Sequence, residues 1–115
     1  MTREELYNII SNENIAPIYL PQDLLTIEND CLVLQKMSSI PSTNSSVGGW
    51  EIWTIYVYSP SNPLHTDRMC KQLVVLLVAN DIEVVISGGY DYYDANAKCY
   101  ISTVQFRIPK IFINK

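Results

Sequence analysis

The segment NPLHTDRMCKQLVVLLVAN, residues Asn62–Asn80, decides the fold because it predicts a long helix on which the other elements must pack. Asn62 can act as the N-cap, and Pro63 falls at the first helical position, where its missing N–H costs nothing. Apolar residues then recur at helical spacing on one face. They are Met69, Leu73, Leu76 and Leu77, and the face is widened by Cys70, Val74 and Val78. The run LVVLLV would also suit a buried strand, but the Asn-Pro start favours a helix.

Length and composition limit the class of protein. A chain of 115 residues is typical of one domain, which we place at 1–115. The net charge of −4, with scattered basic residues, argues against specific nucleic-acid binding, because phosphate binding needs a basic patch. We also expect no signal peptide and no membrane helix, since no apolar run approaches the roughly 20 residues that a span requires. Three cysteines without a CxxC motif predict reduced, buried thiols.

The N-terminal part of the chain predicts one short helix and two strands. Thr2 begins a capping box, and the apolar spacing after it predicts a helix over Arg3–Asn12. The proline-bracketed stretch Ile15–Leu20 is expected to be an extended edge segment or a turn. A strand follows at Cys31–Met37, and residues 38–49 are expected to form a long polar loop.

The strongest strand signal is WEIWTIYVYS, Trp50–Ser59, which is rich in aromatic and β-branched residues. Neither of its two alternating faces is polar throughout. We therefore expect both faces to be covered, one by the core and the other by something else. One face consists of Trp50, Ile52, Thr54, Tyr56 and Tyr58, and the other of Glu51, Trp53, Ile55, Val57 and Ser59.

The remaining chain predicts two more strands, Ile82–Ser87 and Lys98–Ile108, the second ended by Pro109. Between them, residues 88–97 are expected to form a long acidic, tyrosine-rich loop. The predicted fold is therefore α+β in the order α-β-β-α-β-β. It has a mainly antiparallel four-stranded sheet with two helices packed on one face.

Residue chemistry predicts no catalytic, metal or cofactor site, and so no enzyme. His65 is the one histidine, and Cys70, five residues further along a helix, points away from it. Asp91 and Asp94 lack the spacing of a calcium loop. The paired glycines at 48–49 and 88–89 lack the features of a phosphate loop. A hydrolase would depend on His65 or Cys70.

Aromatic residues are the best candidates for a function. Large rigid aromatics dominate protein–protein hot spots, so an exposed acidic tyrosine cluster is expected to be either a subunit interface or a solvated hairpin tip. For the strand, core packing is the alternative. The possible interface residues are Trp50, Trp53, Tyr56, Tyr90, Asp91, Tyr92, Tyr93 and Asp94.

The layout from Thr2 to Pro109 resembles the tail terminator, or tail completion, proteins of tailed bacteriophages and related prophage particles. The resemblance is carried by element order and by three stretches, IAPIYLP (Ile15–Pro21), GGWEIWTIYVYS (Gly48–Ser59) and YISTVQFRIP (Tyr100–Pro109). It implies a small non-enzymatic virion protein, made in the host cytoplasm. Such proteins form a homo-oligomeric ring, a hexamer in that family, which caps the tail tube, stops its polymerisation and provides the head-joining surface.

The implied partners are copies of the chain itself, the tail tube protein and a neck or head-completion protein. A head-closure, neck or other minor tail protein is the alternative within the same class. From another class, a small-molecule-binding regulatory domain of ferredoxin-like shape would show a pocket with convergent polar groups.

Overall fold

The computed structural model describes residues 1–21, 27–41 and 48–111. Its strands form one five-stranded sheet in the order β1-β2-β3-β5-β4. β1 runs parallel to β2, and the other neighbours are antiparallel. The elements in chain order are α1 (Arg3–Asn12), β1 (Ile18–Tyr19), β2 (Cys31–Pro41), β3 (Gly48–Ser59), α2 (Pro63–Ala79), β4 (Glu83–Asp94) and β5 (Cys99–Ile111).

The predicted fold class, a mainly antiparallel four-stranded sheet in the order α-β-β-α-β-β, is wrong because a fifth strand makes the sheet mixed. That strand is β1, whose Ile18 and Tyr19 pair in parallel with Leu32 and Val33. The carbonyl of Pro17 extends this pairing by accepting a hydrogen bond from the Leu32 N–H at 2.8 Å. Proline lacks a donor but keeps its acceptor, so a proline-flanked segment can still join a sheet edge.

Both helices begin where their caps predict. In α1, the Thr2 hydroxyl accepts from the Glu5 N–H, and the Glu5 carboxylate accepts from the Thr2 N–H, both at 3.2 Å. In α2, the side-chain oxygen Oδ1 of Asn62 accepts from the N–H of Leu64 at 2.8 Å. These bonds satisfy donors that a helix otherwise leaves unpaired, so the predicted helix starts are confirmed.

One hydrophobic core joins both helices to the same sheet face. Alternate residues of β3, starting at Trp53, contact this core, and α2 contributes the predicted face. Val78 is an exception, since it lies on the outside of the helix instead of widening the buried face. The largest fully buried side chains include Phe106, Leu6, Ile10, Leu32, Leu34, Ile55, Leu73 and Leu77.

The strands are longer than predicted, so most of the described part of each predicted loop is strand, and only residues 95–97 of the second loop form a turn as predicted. Strand β4 runs through 88–94 because Gly88 adopts a φ of +81°, and register shifts flank the two glycines. Strand β5 continues through Pro109, which pairs with Trp50 of β3 beyond the point where β4 begins. Pro109 lacks a backbone N–H, but no residue of β4 lies opposite it, so no hydrogen bond of the β4–β5 pairing is lost. Of the predicted loop 38–49, residues 38–41 and 48–49 are strand, and 42–47 lie outside the described residues.

Neither described helix is long and apolar enough to cross a membrane.

Candidate assembly surface

The sheet has a second face, pointing away from both helices, which no described element covers. Cross-strand partners share a face, so the pairs Tyr56–Thr103 and Tyr58–Ile101 belong to this surface. Its small central residues are buried beneath larger half-exposed neighbours at its margins, Met37, Ile86 and Tyr92. We call it the open sheet face. Its other residues include Cys31, Val33, Gln35, Ser38, Trp50, Ile52, Thr54, Gly89, Asp94, Cys99, Gln105 and Arg107.

A groove of about 280 Å³ crosses the middle of the open sheet face. Its position coincides with Gly89, which contributes no side chain to the sheet surface. The Thr54 hydroxyl beside it is buried and has no hydrogen-bond partner among the described residues. None of the described residues that line the groove is charged, so it suits a neutral or apolar group. The lining residues are Met37, Thr54, Tyr56, Ile86, Gly89, Thr103 and Gln105.

The two tryptophans of the predicted interface lie on opposite faces of β3. Trp53 is buried in the core, where its Nε1–H donates to Glu51 Oε1 at 3.4 Å and Arg3 lies over its ring. Trp50 lies on the open sheet face, with the guanidinium of Arg107 3.9 Å from its ring centroid. Arg107 also forms an ion pair with Glu83, so Trp50, Arg107 and Glu83 contact one another in sequence within a single chain. Trp53 is therefore not accessible to a second subunit, and Trp50 is partly covered.

The predicted tyrosines form two groups at the end of the sheet that carries the β4–β5 turn. Tyr56 and Tyr58 stack on the open sheet face with ring centroids 6.3 Å apart. Tyr93 points to the helix side, where it meets Tyr100 edge-on at 5.0 Å, and it remains half exposed. Tyr92 is equally exposed but belongs to the open sheet face.

The two acidic residues at the end of β4, Asp91 and Asp94, have different environments. Asp94 Oδ1 caps the turn by accepting from the N–H groups of Asn96 and Ala97. Asp91 is exposed on β4. The side chain of Tyr90 lies outside the described part of the structure, although its backbone belongs to β4. The predicted interface residues are thus brought together only in part, at the end of β4.

A hydrogen-bonded group that sequence reasoning missed links β3, α2 and the segment before β2. Ser59 donates to Asp30 Oδ1 at 2.6 Å, and His65 Nδ1 lies 3.0 Å from Asp30 Oδ2. The aspartate is therefore the centre of the group, and the serine is fully buried without a bond to the histidine. Nucleophilic catalysis needs a serine that is bonded to its base, so this arrangement ties elements together instead. Thirty-five residues separate Asp30 from His65, and no local pattern marks such a pair.

A wide cleft lies at the start of α1. Here Lys36 Nζ is 3.8 Å from Glu51 Oε2, and the cleft is bordered by Arg3 and Trp53. The carboxylate is largely buried and engaged by Lys36 and by the Trp53 indole. Its charge is thus compensated within the chain. Among the described residues, no group of three or more His, Cys, Asp or Glu side chains could hold a metal ion.

The three cysteines are free and buried, as their sequence pattern predicts. Burial raises the pKa of Cys31 to about 11, with smaller contributions from Cys99 and Asp30. Burial also raises the pKa values of Cys70 and Cys99. Tyr58 behaves in the same way, since burial beside Tyr56 raises its pKa to about 12. A protonated thiol is a poor nucleophile, so none of the three has the properties of a catalytic cysteine.

These shifts predict that the protein loses stability at alkaline pH. The folded state holds the Cys31 proton more tightly than the unfolded chain, whose ordinary pKa is 9.0. The contribution is complete below pH 9 and is lost as the pH rises towards about 11. Urea unfolding between pH 8 and pH 11 should show a falling free energy of unfolding, with a weaker fall in Cys31→Ala. A flat profile would contradict the burial of this thiol.

Comparison of the sequence with known proteins gives no relative, because no family model and no curated protein matches the chain.

Proposed function

We propose that this protein is a structural component of a tailed bacteriophage or prophage-derived particle. Copies of the chain form a ring that caps the tail tube, stops its polymerisation and provides the surface for joining the head. The protein is made in the host cytoplasm and becomes part of the virion. Its partners are other copies of itself, the tail tube protein and a neck or head-completion protein.

The observation that supports this proposal is the open sheet face. An antiparallel sheet with one solvated face normally carries polar residues there. On this face the stacked tyrosines lie towards the β4–β5 turn, and beside polar residues such as Gln105 the apolar Met37, Ile86 and Tyr92 are half exposed at its margins. Contiguous exposed apolar surface marks protein–protein contact in soluble domains. A neighbouring subunit would cover it.

A non-enzymatic role agrees with the chemistry of the described polar groups. Ser59 and His65 each contact Asp30, and the serine has no access to solvent. The buried carboxylate of Glu51 is engaged by Lys36 and Trp53. Each arrangement satisfies its own polar atoms, so neither leaves a reactive group directed at a substrate.

The negative charge of the subunit also supports the proposal. With a net charge of −4, a ring of such subunits would carry a large fixed negative charge. Fixed negative charge repels phosphate, which would let DNA pass through the ring without binding to it.

Solution mass and electron microscopy test the proposal directly. We expect purified protein to form closed rings at high concentration, or in the presence of tail tubes of the same particle, and to bind the tube end. A strict monomer that forms no ring beside tubes would contradict it. Rings that bind isolated heads but not tube ends would favour the alternative, a head-closure or other neck protein.

The half-exposed tyrosines at the end of β4 provide a residue-level prediction. The double variant Tyr92→Ala, Tyr93→Ala should weaken ring formation by about tenfold or more, because exposed aromatics supply much of the binding energy at interfaces. Analytical ultracentrifugation measures the assembly, and circular dichroism checks that the subunit remains folded. As the control, Tyr19→Ala alters a tyrosine at the opposite edge of the sheet. Equal assembly of the double variant and wild type would remove these side chains from the contact.

A second candidate function, small-molecule binding, is favoured by the groove. The Thr54 hydroxyl beside the groove has no partner in the part of the chain that the structure describes, and burying an unsatisfied hydroxyl costs about 1–3 kcal/mol. A neutral ligand with a hydrogen-bonding group would recover this energy and raise the melting temperature. A screen of neutral compounds by thermal denaturation tests it, with Thr54→Val expected to abolish any rise.

A further inference from the structure

Helix α2 carries a second stripe of residues on the side opposite to the core. Its apolar members are strongly exposed, with Leu64 at 72%, Val75 at 70% and Val78 at 59%. Between them lie the exposed cations Arg68 and Lys71. The five positions follow one another at alternating intervals of four and three residues, the spacing at which a helix packs along a partner. We call these residues the outer stripe.

The two cations of the outer stripe have no acidic partner among the residues that the structure describes. The cations Arg3, Lys36 and Arg107, by contrast, each contact an aromatic ring or a carboxylate. The outer stripe therefore combines apolar ends with a positive centre that forms no ion pair with a described residue, although the exposed Asp67 lies beside it on the same helix. A surface that covers it must supply carboxylates near the middle and apolar groups around them.

Pairing of α2 with α2 of another copy does not meet this requirement. In an antiparallel pair centred on the outer stripe, Lys71 would face Lys71, and each Arg68 would lack a carboxylate. Like charges placed opposite each other cost several kcal/mol at an interface. A twofold contact through this stripe is therefore disfavoured, and the partner surface must be a different one.

The end of β4 has the complementary character. β4 is the edge strand of the sheet, and alternation along it places one carboxylate and one half-exposed ring on each side of that edge. Tyr92 and Asp94 lie on the open sheet face, and Asp91 and Tyr93 on the helix side. Four strand residues extend about 10 Å, which is within reach of two long cationic side chains one helical turn apart. We call this segment the acidic end of β4.

We infer that the outer stripe of α2 in one copy binds the acidic end of β4 in the next copy. The contact joins two different surfaces, so it leaves one of each free at the two ends of any pair. Contacts of this head-to-tail type close into rings or continue as filaments. The inference rests on the proposed function, because it names one contact between neighbouring copies in that ring, in addition to the open sheet face.

A charge exchange tests the inference. Lys71→Glu and Asp91→Lys should each weaken assembly by about tenfold or more, as measured by analytical ultracentrifugation. The combined variant Lys71→Glu, Asp91→Lys should recover most of the loss, since the charges are restored in exchanged positions. Gln72→Glu adds negative charge to the same helix outside the stripe and should assemble like wild type. Circular dichroism confirms that each variant is folded.

Zero-length carbodiimide cross-linking gives a second readout. A mixture of light and heavy-isotope protein should yield mixed cross-linked peptides that join Lys71 to Asp91 or Asp94. If wild-type protein assembles but Lys71→Glu assembles equally well, this contact is overturned while the ring remains. If the single variants are weakened and the combined variant is not rescued, the pairing is wrong. If wild-type protein does not assemble at all, the proposed function fails as well.

Discussion

Leu77→Asp should abolish cooperative folding. The Leu77 side chain is fully buried in the core that joins α2 to the sheet. A carboxylate at this position would lose its hydration without gaining a partner, at a cost of more than about 4 kcal/mol. That is comparable with the whole stability of a small domain, about 5–15 kcal/mol. Far-UV circular dichroism and urea unfolding should show a largely unfolded chain.

The matched control for this prediction is Val75→Asp on the same helix. Val75 is exposed on the outer stripe, so the same change in side-chain chemistry removes little buried surface. We expect the free energy of unfolding to change by roughly 0.5 kcal/mol. The two variants differ in assembly as well, because Val75 belongs to the proposed contact. If Leu77→Asp melts at the same temperature as Val75→Asp, α2 is not the centre of the core.

Gly89→Ala should destabilise the monomer through a steric clash that a second substitution relieves. A Cβ at this position would lie 2.6 Å from Thr103 Oγ1, closer than two such atoms can approach. Either the buried Thr103 side chain or the strand that carries it must shift, and overpacking of this kind costs about 1–3 kcal/mol. The melting temperature should fall by several degrees. Thr103→Ala removes the oxygen, so the double variant should show a favourable coupling in a mutant cycle.

Gly88→Ala provides the contrast. No atom lies within 4 Å of a Cβ at that position, but its φ of +81° is unfavourable for any residue with a side chain. Its cost is about 1 kcal/mol and arises from the backbone. Thr103→Ala should therefore not rescue it. Equal rescue of both glycine variants would show that the Gly89 clash is not the cause.

The parts of the fold that could be predicted from the sequence are those with local signals. The Thr2 and Asn62 caps are read within a few residues, and both helices begin where these caps place them. The division of β3 into two faces follows from alternation and is also correct. Which of these faces lies on the core could not be assigned, because both are largely apolar. That choice depends on the helices and places Trp53 inside.

The parts that were missed depend on distant partners. β1 has only two residues, so it carries no periodic signal, and its place is set by pairing with β2. The glycines at 88–89 look like a strand end, yet β5 supports the strand beyond them. The bond between Asp30 and His65 likewise joins residues far apart in sequence. The exposed tyrosines of β4 were found because their composition is unusual wherever they lie.

The pairing of β3 with β5 has a consequence for the order of folding. β3 belongs to the first hairpin and β5 to the second, and α2 lies between them in the chain. Each hairpin can form locally within microseconds, but neither holds a closed core until β3 and β5 align. We expect that docking step to limit the folding rate, so that a nascent chain remains incompletely folded until β5 has left the ribosome.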